Sequence, residues 1–296
     1  RSRKRPNKHW YTCATTLPRP PWDMPELPEV EVVRRGLQQH IVGLTFGRVE
    51  VLHPRASRGN EVDLERVLPG RTVVDTGRRG KYLWLLLDNG AAVLVHLRMS
   101  GQMLVAKHGE VTSPHLRIRA DMGTCELCFV DQRTFGFWQY TDLVDGVPRP
   151  AGHIAPDPFE DAFDVRETAR AMRRKNSALK TVLLNQEIVS GIGSIYADEA
   201  MWSANLKPWR KARTMRQRDA EAVLEASRDV MASALEQGGT SFDALYVNVN
   251  GASGYFARSL NAYGQAGKPC ARCGTEIART VINGRSSYYC PVCQVL

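Results

Sequence analysis

The chain has 296 residues, a length that allows one large domain or two of ordinary size. Its formal net charge of +9 favours a polyanionic partner such as nucleic acid. Six Lys or Arg residues against Asp23 place +5 of that charge in residues 1–23, so the rest of the chain is only mildly basic. No apolar run approaches the length of a membrane-spanning helix, and we expect a soluble, cytoplasmic protein with no membrane partner.

Residues 1–23 contain four prolines and show no apolar periodicity. This composition predicts a disordered leader, because the segment has no apolar face to bury. It does not resemble a secretory signal, since its basic residues are not followed by an apolar run of about seven residues or more.

Residues 24–150 are predicted to form a β-rich domain that one amphipathic helix opens. The helix begins near Pro28 and ends just before Gly43, and its apolar stripe consists of Val30, Val33, Leu37 and Ile41. Cys125 and Cys128 fall in a strand, where residues three apart face opposite sides, and both are expected to be packing residues. The expected strands cover residues 82–87 and 91–99, joined by a turn at 88–90, and residues 115–120, 125–130 and 135–140.

A second, helical domain is predicted for residues 151–265. The boundary falls in the Pro- and Gly-rich stretch 145–161. Thr214 is a plausible N-cap, and the irregular stretch 240–265 is rich in turn formers. The segments with helical periodicity are residues 165–184, 194–206 and 214–239.

Residues 266–296 carry the most specific signal, which is a pair of Cys-x-x-Cys motifs formed by Cys270, Cys273, Cys290 and Cys293. Two such pairs place four thiolates where they can surround one structural Zn²⁺ tetrahedrally; four reduced surface thiols are the alternative. Between them, the turn at Asn283-Gly284 predicts a β-hairpin with Arg285 near its tip. That arginine could reach a phosphate or simply be solvated.

Other candidate residues are ambiguous when they are taken one at a time. The turn from Gly191 to Ser194 precedes a helix and could hold a phosphate on its N–H groups, although such turns are usually only connections. Glu26 and Glu29 could serve acid–base chemistry or merely complement a helix dipole. Lys81, Met99, Arg133 and Phe135 would likewise pass as ordinary core and surface residues.

Taken together, these segments resemble the bacterial formamidopyrimidine-DNA glycosylase family over residues 24–296. The resemblance rests on eight segments in the family's order: PELPEVE, GRRGKYL, HLRMSGQ, QRTFGFW, LLNQEIVSGIGSIYADEAMW, GGTSF, SGYF and GRSSYYCPVCQ. It implies an α+β multi-domain protein with an N-terminal β-sandwich flanked by helices, a helix-two-turn-helix domain and a C-terminal β-hairpin zinc finger. It also implies a monomer that acts on double-stranded DNA.

The implied reaction removes an oxidised purine, 8-oxoguanine or a formamidopyrimidine, from an extruded nucleotide and then cleaves the abasic site by β,δ-elimination. The resemblance assigns the nucleophile to Pro25 as an N-terminal amine and the general acid/base to Glu26. It assigns Lys81 and Arg285 to phosphate contacts that assist elimination. Because Pro25 must be free to react, translation is expected to start at Met24, or a leader to be removed by proteolysis.

The same resemblance assigns Met99, Arg133 and Phe135 to filling the gap that the extruded base leaves, and His115 and Lys175 to DNA-backbone contacts. The loop at 248–256 is expected to close over the damaged base. Ser194 stands where the family usually has Asn, and Gln265 where it usually has Arg. Both departures predict altered DNA affinity rather than lost chemistry.

Two alternatives stay open at this point. An endonuclease VIII-like enzyme would share the nucleophile but favour oxidised pyrimidines. A non-catalytic zinc-finger protein would bind abasic DNA without forming a covalent adduct.

Overall fold

The computed structural model describes residues 24–239 and 259–295. The leader at 1–23 and the loop at 248–256 therefore lie outside the described residues. Within the described ranges, no helix is long and apolar enough to cross a membrane.

The first helix, α1, spans Leu27–Ile41 and carries the predicted apolar stripe on its buried face. Proline in its first turn supplies a pre-set φ where no N–H is needed, and Gly43 follows it with φ +86°. The helix packs on β2 (Val73–Arg79) and also contacts α6 (Gln217–Glu236) of the helical domain. It is thus anchored to both parts of the molecule.

Two four-stranded antiparallel sheets form the predicted β-sandwich. One has the order β1 (Val49–Val51), β6 (Leu116–Asp121), β7 (Glu126–Asp131), β5 (Gly101–Ala106). The other has the order β2 (Val73–Arg79), β3 (Tyr82–Leu87), β4 (Ala92–His96), β8 (Phe137–Thr141). Their facing sides bury a shared core that includes Phe46, Leu85, Phe129 and Trp138.

The β-domain also contains the short helix α2 (Leu64–Val67) and the two-stranded pair of β9 (Leu143–Val144) and β10 (Val147–Pro148). The predicted strand 91–99 ends earlier, at His96, because Arg98 has φ +52° and the chain turns there into β5. Cys128 is fully buried on one side of β7, and Cys125 packs against the core on the other, as predicted.

The helical domain contains α3 (Val165–Arg173), α4 (Leu179–Leu183), α5 (Ser194–Ser203) and α6 (Gln217–Glu236). The prediction of one helical segment over 165–184 is wrong, since the chain leaves the helix between α3 and α4. There Ala178 forms a β-bridge with Lys211, and Arg213 N donates to Lys175 O at 3.1 Å. Tertiary pairing replaces the helical hydrogen bonds in this stretch.

Thr214 does not cap α6, contrary to the prediction. It lies in the 3-10 turn Ala212–Thr214, where its hydroxyl donates to Lys211 O at 2.8 Å. The helix starts three residues later, and Gly238 and Gly239 follow its end with φ +76° and +87°.

The C-terminal finger is the predicted hairpin of β11 (Ala278–Ile282) and β12 (Arg285–Tyr289). The finger docks on α5 through Asp198, which is fully buried and accepts hydrogen bonds from Ser287 Oγ (2.7 Å) and Tyr288 N (2.9 Å). Lys180 pairs with Asp198 at 2.8 Å and also donates to Ser286 O at 2.6 Å. This buried pair fixes β12 relative to the helical domain.

A second buried network joins the β-sandwich to the segment that leads into the helical domain. Arg78, at the end of β2, contacts Glu31 of α1 at 3.0 Å and Asp157 at 2.6 Å. Arg79 beside it pairs with Glu160 at 2.9 Å. We call the contacts of Arg78, Glu31 and Asp157 the domain joint.

Candidate functional site

A cavity of about 400 Å³ lies where the β-sandwich, the helical domain and the finger meet. Three residues predicted for the site line it, which are Lys81, Met99 and Arg285. Met24 and Gly193 also line it, and Pro25 and Glu26, the two residues that follow Met24 in the chain, are buried. The other lining residues are Tyr82, His96, Arg98, His153, Ile154, Leu184 and Gln186.

The Glu26 carboxylate lies at the N-terminus of α5, and the residue is only 1% exposed. It accepts hydrogen bonds from Gly193 N (2.7 Å), Ile195 N (2.9 Å) and Tyr196 N (3.3 Å). The first N–H groups of a helix lack intrahelical partners and form the positive end of its dipole, so a carboxylate binds well there. The turn whose N–H groups could have held a phosphate therefore uses two of these amides, with that of Tyr196, to hold the chain's own Glu26.

Gly193 is required by this close approach. A Cβ atom at that position would lie 2.2 Å from Cδ of Glu26. Any side chain there would push the carboxylate away from α5.

Glu29 supports this arrangement from one helical turn away. Its carboxylate accepts from Glu26 N at 2.9 Å and from the Tyr196 hydroxyl at 2.8 Å. Glu29 thus orients the Glu26 segment. This role is neither acid–base chemistry nor merely a complement to the helix dipole, the two interpretations that the sequence allowed.

Pro25 is buried, and the half-buried Met24 that precedes it lines the cavity. The segment is fixed by Leu27 N, which donates to Gly191 O at 3.0 Å. In a chain that includes Met24, the Pro25 nitrogen is a tertiary amide whose lone pair is delocalised. Removing Met24 would convert it to a secondary amine.

Lys81 is 9% exposed, and hydrogen bonds hold the backbone of Gly80, the residue before it. Gly80 N donates to Asp157 Oδ2 at 2.9 Å, and Gly80 O accepts from Arg78 Nη1 at 3.2 Å. Gly80 has φ +55°, and a Cβ there would lie 2.7 Å from Ser190. The domain joint therefore also fixes the backbone that carries Lys81.

His96 also lines the cavity, although it was not among the residues predicted for the site. Its Nδ1 accepts from Arg98 N at 3.0 Å, so the proton of the neutral ring is on Nε2. Burial, together with the charges of Arg98 and Lys81, holds the pKa of His96 well below its usual range. His96 is the first residue of the HLRMSGQ segment. Every residue of β4 is buried, so the strand shows no alternation of buried and exposed positions that would have distinguished His96.

The three residues predicted to fill the gap in DNA lie on two adjacent loops. Arg133 Nη1 lies 3.5 Å from Met99 Sδ. The fully buried Asp131 accepts from Arg133 N (3.1 Å) and from Gly136 N (2.6 Å), and Ser100 Oγ donates to it as well. Phe135 itself is 41% exposed.

The remaining predicted contacts lie outside the cavity lining. His115 is half-buried at the start of β6, and Lys175 is exposed between α3 and α4. Ser194 is buried at the first position of α5, beside the amides that hold Glu26.

The four finger cysteines suit zinc in number, chemistry and spacing. Their Sγ atoms all lie within 4.8 Å of one another, with 4.0 Å between Cys270 and Cys293 and 3.5 Å between Cys273 and Cys290. Four thiolates around Zn²⁺, at about 2.3 Å each, would have sulfurs about 3.8 Å apart. Trp202 Nε1 donates a hydrogen bond to Cys270 Sγ at 3.4 Å, which orients this ligand from outside the metal site. The cysteines therefore form the site of one structural zinc ion.

Comparison with known proteins places the whole described arrangement in one family. Family models match residues 24–138 (formamidopyrimidine-DNA glycosylase N-terminal domain), 154–244 (formamidopyrimidine-DNA glycosylase H2TH domain) and 267–295 (zinc finger found in FPG and IleRS). The formamidopyrimidine-DNA glycosylase of Corynebacterium efficiens is 56% identical over 282 residues, which cover 92% of this chain and 99% of that protein. That of Mycolicibacterium paratuberculosis is also 56% identical over 282 residues, covering 92% and 98%.

Solved structures agree with this assignment. The MutM (Fpg) protein of Thermus thermophilus superimposes with a TM-score of 0.81 at 33% identity, covering 91% of this chain and 98% of that one. The Fpg of Lactococcus lactis, in complex with DNA that contains an abasic site, gives 0.82 at 29% identity, covering 92% and 100%. These findings give no support to the two alternatives that the sequence left open. The chain belongs to the formamidopyrimidine-DNA glycosylase family and is a DNA glycosylase of base excision repair.

Proposed function

We propose that this protein removes oxidised purines, 8-oxoguanine and formamidopyrimidines, from double-stranded DNA and cleaves the resulting abasic site by β,δ-elimination. The observation that carries the proposal is the placement of Glu26. Three backbone N–H groups hold its carboxylate at the N-terminus of α5, immediately after Pro25 and beside a cavity that Lys81 and Arg285 line. A nucleophile, a proton carrier and two cations thus converge on a space that can receive one nucleotide.

The first step is attack of the Pro25 amine on C1′ of the extruded nucleotide. The N–C1′ bond forms, the glycosidic bond breaks, and the base leaves with a proton. The sugar ring then opens as O4′ takes a proton, which leaves an iminium between Pro25 and C1′. An α-amine titrates near pH 8, so part of it is neutral and nucleophilic at physiological pH.

Elimination follows from the iminium, which acts as an electron sink. Loss of a C2′ proton expels the 3′-phosphate, and a second loss expels the 5′-phosphate. Glu26 takes the proton that the Pro25 nitrogen loses after attack and passes it to O4′, because its carboxylate is the basic group next to Pro25 in the chain. Lys81 and Arg285 stabilise the departing phosphates with their charge.

Zinc has a structural task in this scheme, since it fixes the hairpin that brings Arg285 to the cavity. Met99, Arg133 and Phe135 fill the space that the extruded nucleotide leaves. His115, Lys175 and the Ser194 hydroxyl contact the DNA backbone. We further infer that the enzyme acts as a monomer on the bacterial nucleoid, which light scattering and fluorescence localisation would test.

The decisive experiment is borohydride trapping on duplexes that contain 8-oxoguanine opposite cytosine. The chain of residues 1–296 and a chain that begins at Pro25 are compared, and intact masses are recorded for both. A thymine glycol duplex serves as the substrate control, and the shorter chain with its Pro25 amine acetylated serves as the protein control.

We expect a covalent adduct only when Pro25 carries the free amine, and faster excision of 8-oxoguanine than of thymine glycol. Equal trapping by an intact 1–296 chain would assign the nucleophile to another amine. Faster excision of thymine glycol would overturn the purine substrate class.

A further inference from the structure

The exposed Phe135 has no obvious reason to keep one orientation, because 41% of its surface faces solvent. Its backbone, by contrast, is held on both sides of a single peptide bond. The carbonyl of Phe135 accepts a short hydrogen bond from Arg58 Nη2, and the N–H of Gly136 donates to Asp131 Oδ2 at 2.6 Å. The C=O and the N–H of the same peptide plane therefore have fixed, charged partners on opposite sides.

From these contacts we propose that Arg58 is a positioning residue that presets Phe135 for insertion into DNA. The inference rests on the role proposed above for Phe135 as the residue that enters the base stack. It assigns a specificity function to a side chain far from Phe135 in sequence, in a segment that none of the family-like motifs includes.

Arg58 makes more than one contact with this loop. Its Nη1 donates to Gly136 O at 3.3 Å, and its guanidinium carbon lies 4.6 Å from the centre of the Phe137 ring. The guanidinium thus binds two successive carbonyls while it stacks on the next aromatic residue. Only arginine combines a planar fork of donors with a stacking face; lysine offers a single point charge.

The segment that carries Arg58 is itself anchored to β8. Asn60 Nδ2 donates to Trp138 O at 2.9 Å, and Asn60 Oδ1 accepts from Tyr140 N at 2.7 Å. Arg58 Nη1 also donates to Arg55 O at 3.1 Å within its own turn. The anchored Arg58 segment on one side and Asp131 on the other fix the backbone of this loop. The exposed Phe135 ring therefore projects from a backbone that is held in one position.

A fixed Phe135 backbone should matter most for the step in which the damaged base is unstacked. Insertion of Phe135 must offset the cost of unstacking an intact damaged base, a cost that an abasic site largely lacks. Loss of charged hydrogen bonds should lower the rate of that step by about tenfold. Cleavage of a preformed abasic site should change by less than about twofold.

The test compares Arg58→Met and Arg58→Lys with Arg55→Met, which removes an exposed charge from the same turn without touching Phe135. Single-turnover rates are measured on 8-oxoguanine:cytosine and on abasic duplexes. A 2-aminopurine beside the lesion reports unstacking, and thermal unfolding reports stability. Phe135→Ala is run in parallel, so that the role of Phe135 is tested independently.

We expect both Arg58 variants to excise 8-oxoguanine about tenfold more slowly, with a smaller 2-aminopurine signal and unchanged abasic-site cleavage, while Arg55→Met behaves like the parent. A parent-like Arg58→Met overturns the inference if Phe135→Ala is slow. If Phe135→Ala is itself parent-like, the proposed role of Phe135 fails and this inference fails with it. An equal loss on both substrates would make Arg58 merely structural and would also overturn it.

Discussion

The two halves of the functional site are built in different ways. The chemical half joins residues from distant parts of the chain, since Glu26 contacts amides 167 to 170 positions away. The half proposed to contact DNA lies within one sandwich, where Ser100 and Asp131 connect loops 31 positions apart. Chemistry therefore depends on how the domains are held together, whereas these loops depend on the β-sandwich alone.

The domain joint and the finger are the structures on which this difference depends. The joint fixes Gly80 beside Lys81, and the finger brings Arg285 to the same cavity. Damage to either should impair strand cleavage while the loop around Asp131 keeps its geometry.

Removing zinc should have the largest effect, because about 10–16 kcal/mol of metal binding is coupled to folding in such fingers. Chelation or Cys290→Ser should abolish amide protection over residues 278–289 and reduce β,δ-elimination to β-elimination. Hydrogen exchange and gel analysis of the cleavage products measure both. Retained protection in zinc-free protein would contradict a structural role for the metal.

Glu26→Gln should lower base excision by about 10²- to 10⁴-fold, the usual contribution of a positioned acid or base. An amide NH₂ cannot accept the hydrogen bonds that both carboxylate oxygens now accept at the N-terminus of α5. Single-turnover kinetics and DNA affinity are measured together in a chain that begins at Pro25. Unchanged affinity with slow excision confines the effect to chemistry, and parent-like excision would refute the assignment.

Arg78→Met should destabilise the protein by about 3–5 kcal/mol, because it leaves Glu31 and Asp157 buried without their shared partner. Urea unfolding measures this change, with Arg66→Met as a control whose ion pair is exposed. The variant should cleave abasic DNA slowly yet keep the parent's 2-aminopurine signal. Equal loss of both would show that the two halves are not separable.

Glu31 should make the joint sensitive to acid. Burial alone would raise its pKa, but hydrogen bonds from Arg34 and the charge of Arg78 outweigh burial and lower the pKa to about 2. The pKa of Glu31 in the folded protein is thus lower than its value of 4.5 in the unfolded chain. The ionised Glu31 therefore contributes its full stabilisation of the fold above about pH 4.5, and this contribution is lost as the pH falls towards 2.

The pH dependence can be isolated by a difference measurement. At neutral pH the shift corresponds to about 3 kcal/mol, of which about 2 kcal/mol should disappear by pH 3. The stability difference between the parent and Glu31→Gln should shrink accordingly, whereas Glu50→Gln, which breaks a more exposed pair, should give a small and flat difference. A constant difference for Glu31→Gln would refute the lowered pKa.

Much of the fold could be read from local patterns. The stripe of α1, the alternating strands and the Cys-x-x-Cys pairs each report a single element or a local ligand set, so their prediction needed no distant contact. The errors lie where distant pairing overrides local tendency: the break at Ala178, paired with Lys211, and the start of α6 after Thr214. The catalytic and DNA-contact roles of individual residues, and the domain boundaries at 150 and 265, stay predictions.

The sequence by itself determined the family, the zinc ligands and the identity of the residues proposed for chemistry, because these are carried by short segments whose residue types are chemically specific. Only the tertiary structure decided what those residues touch. It placed Glu26 on the amides of α5, buried His96 in the cavity wall, and connected Arg58 to Phe135. Such contacts join positions that are far apart in the chain, and no local pattern of hydrophobicity or charge records them.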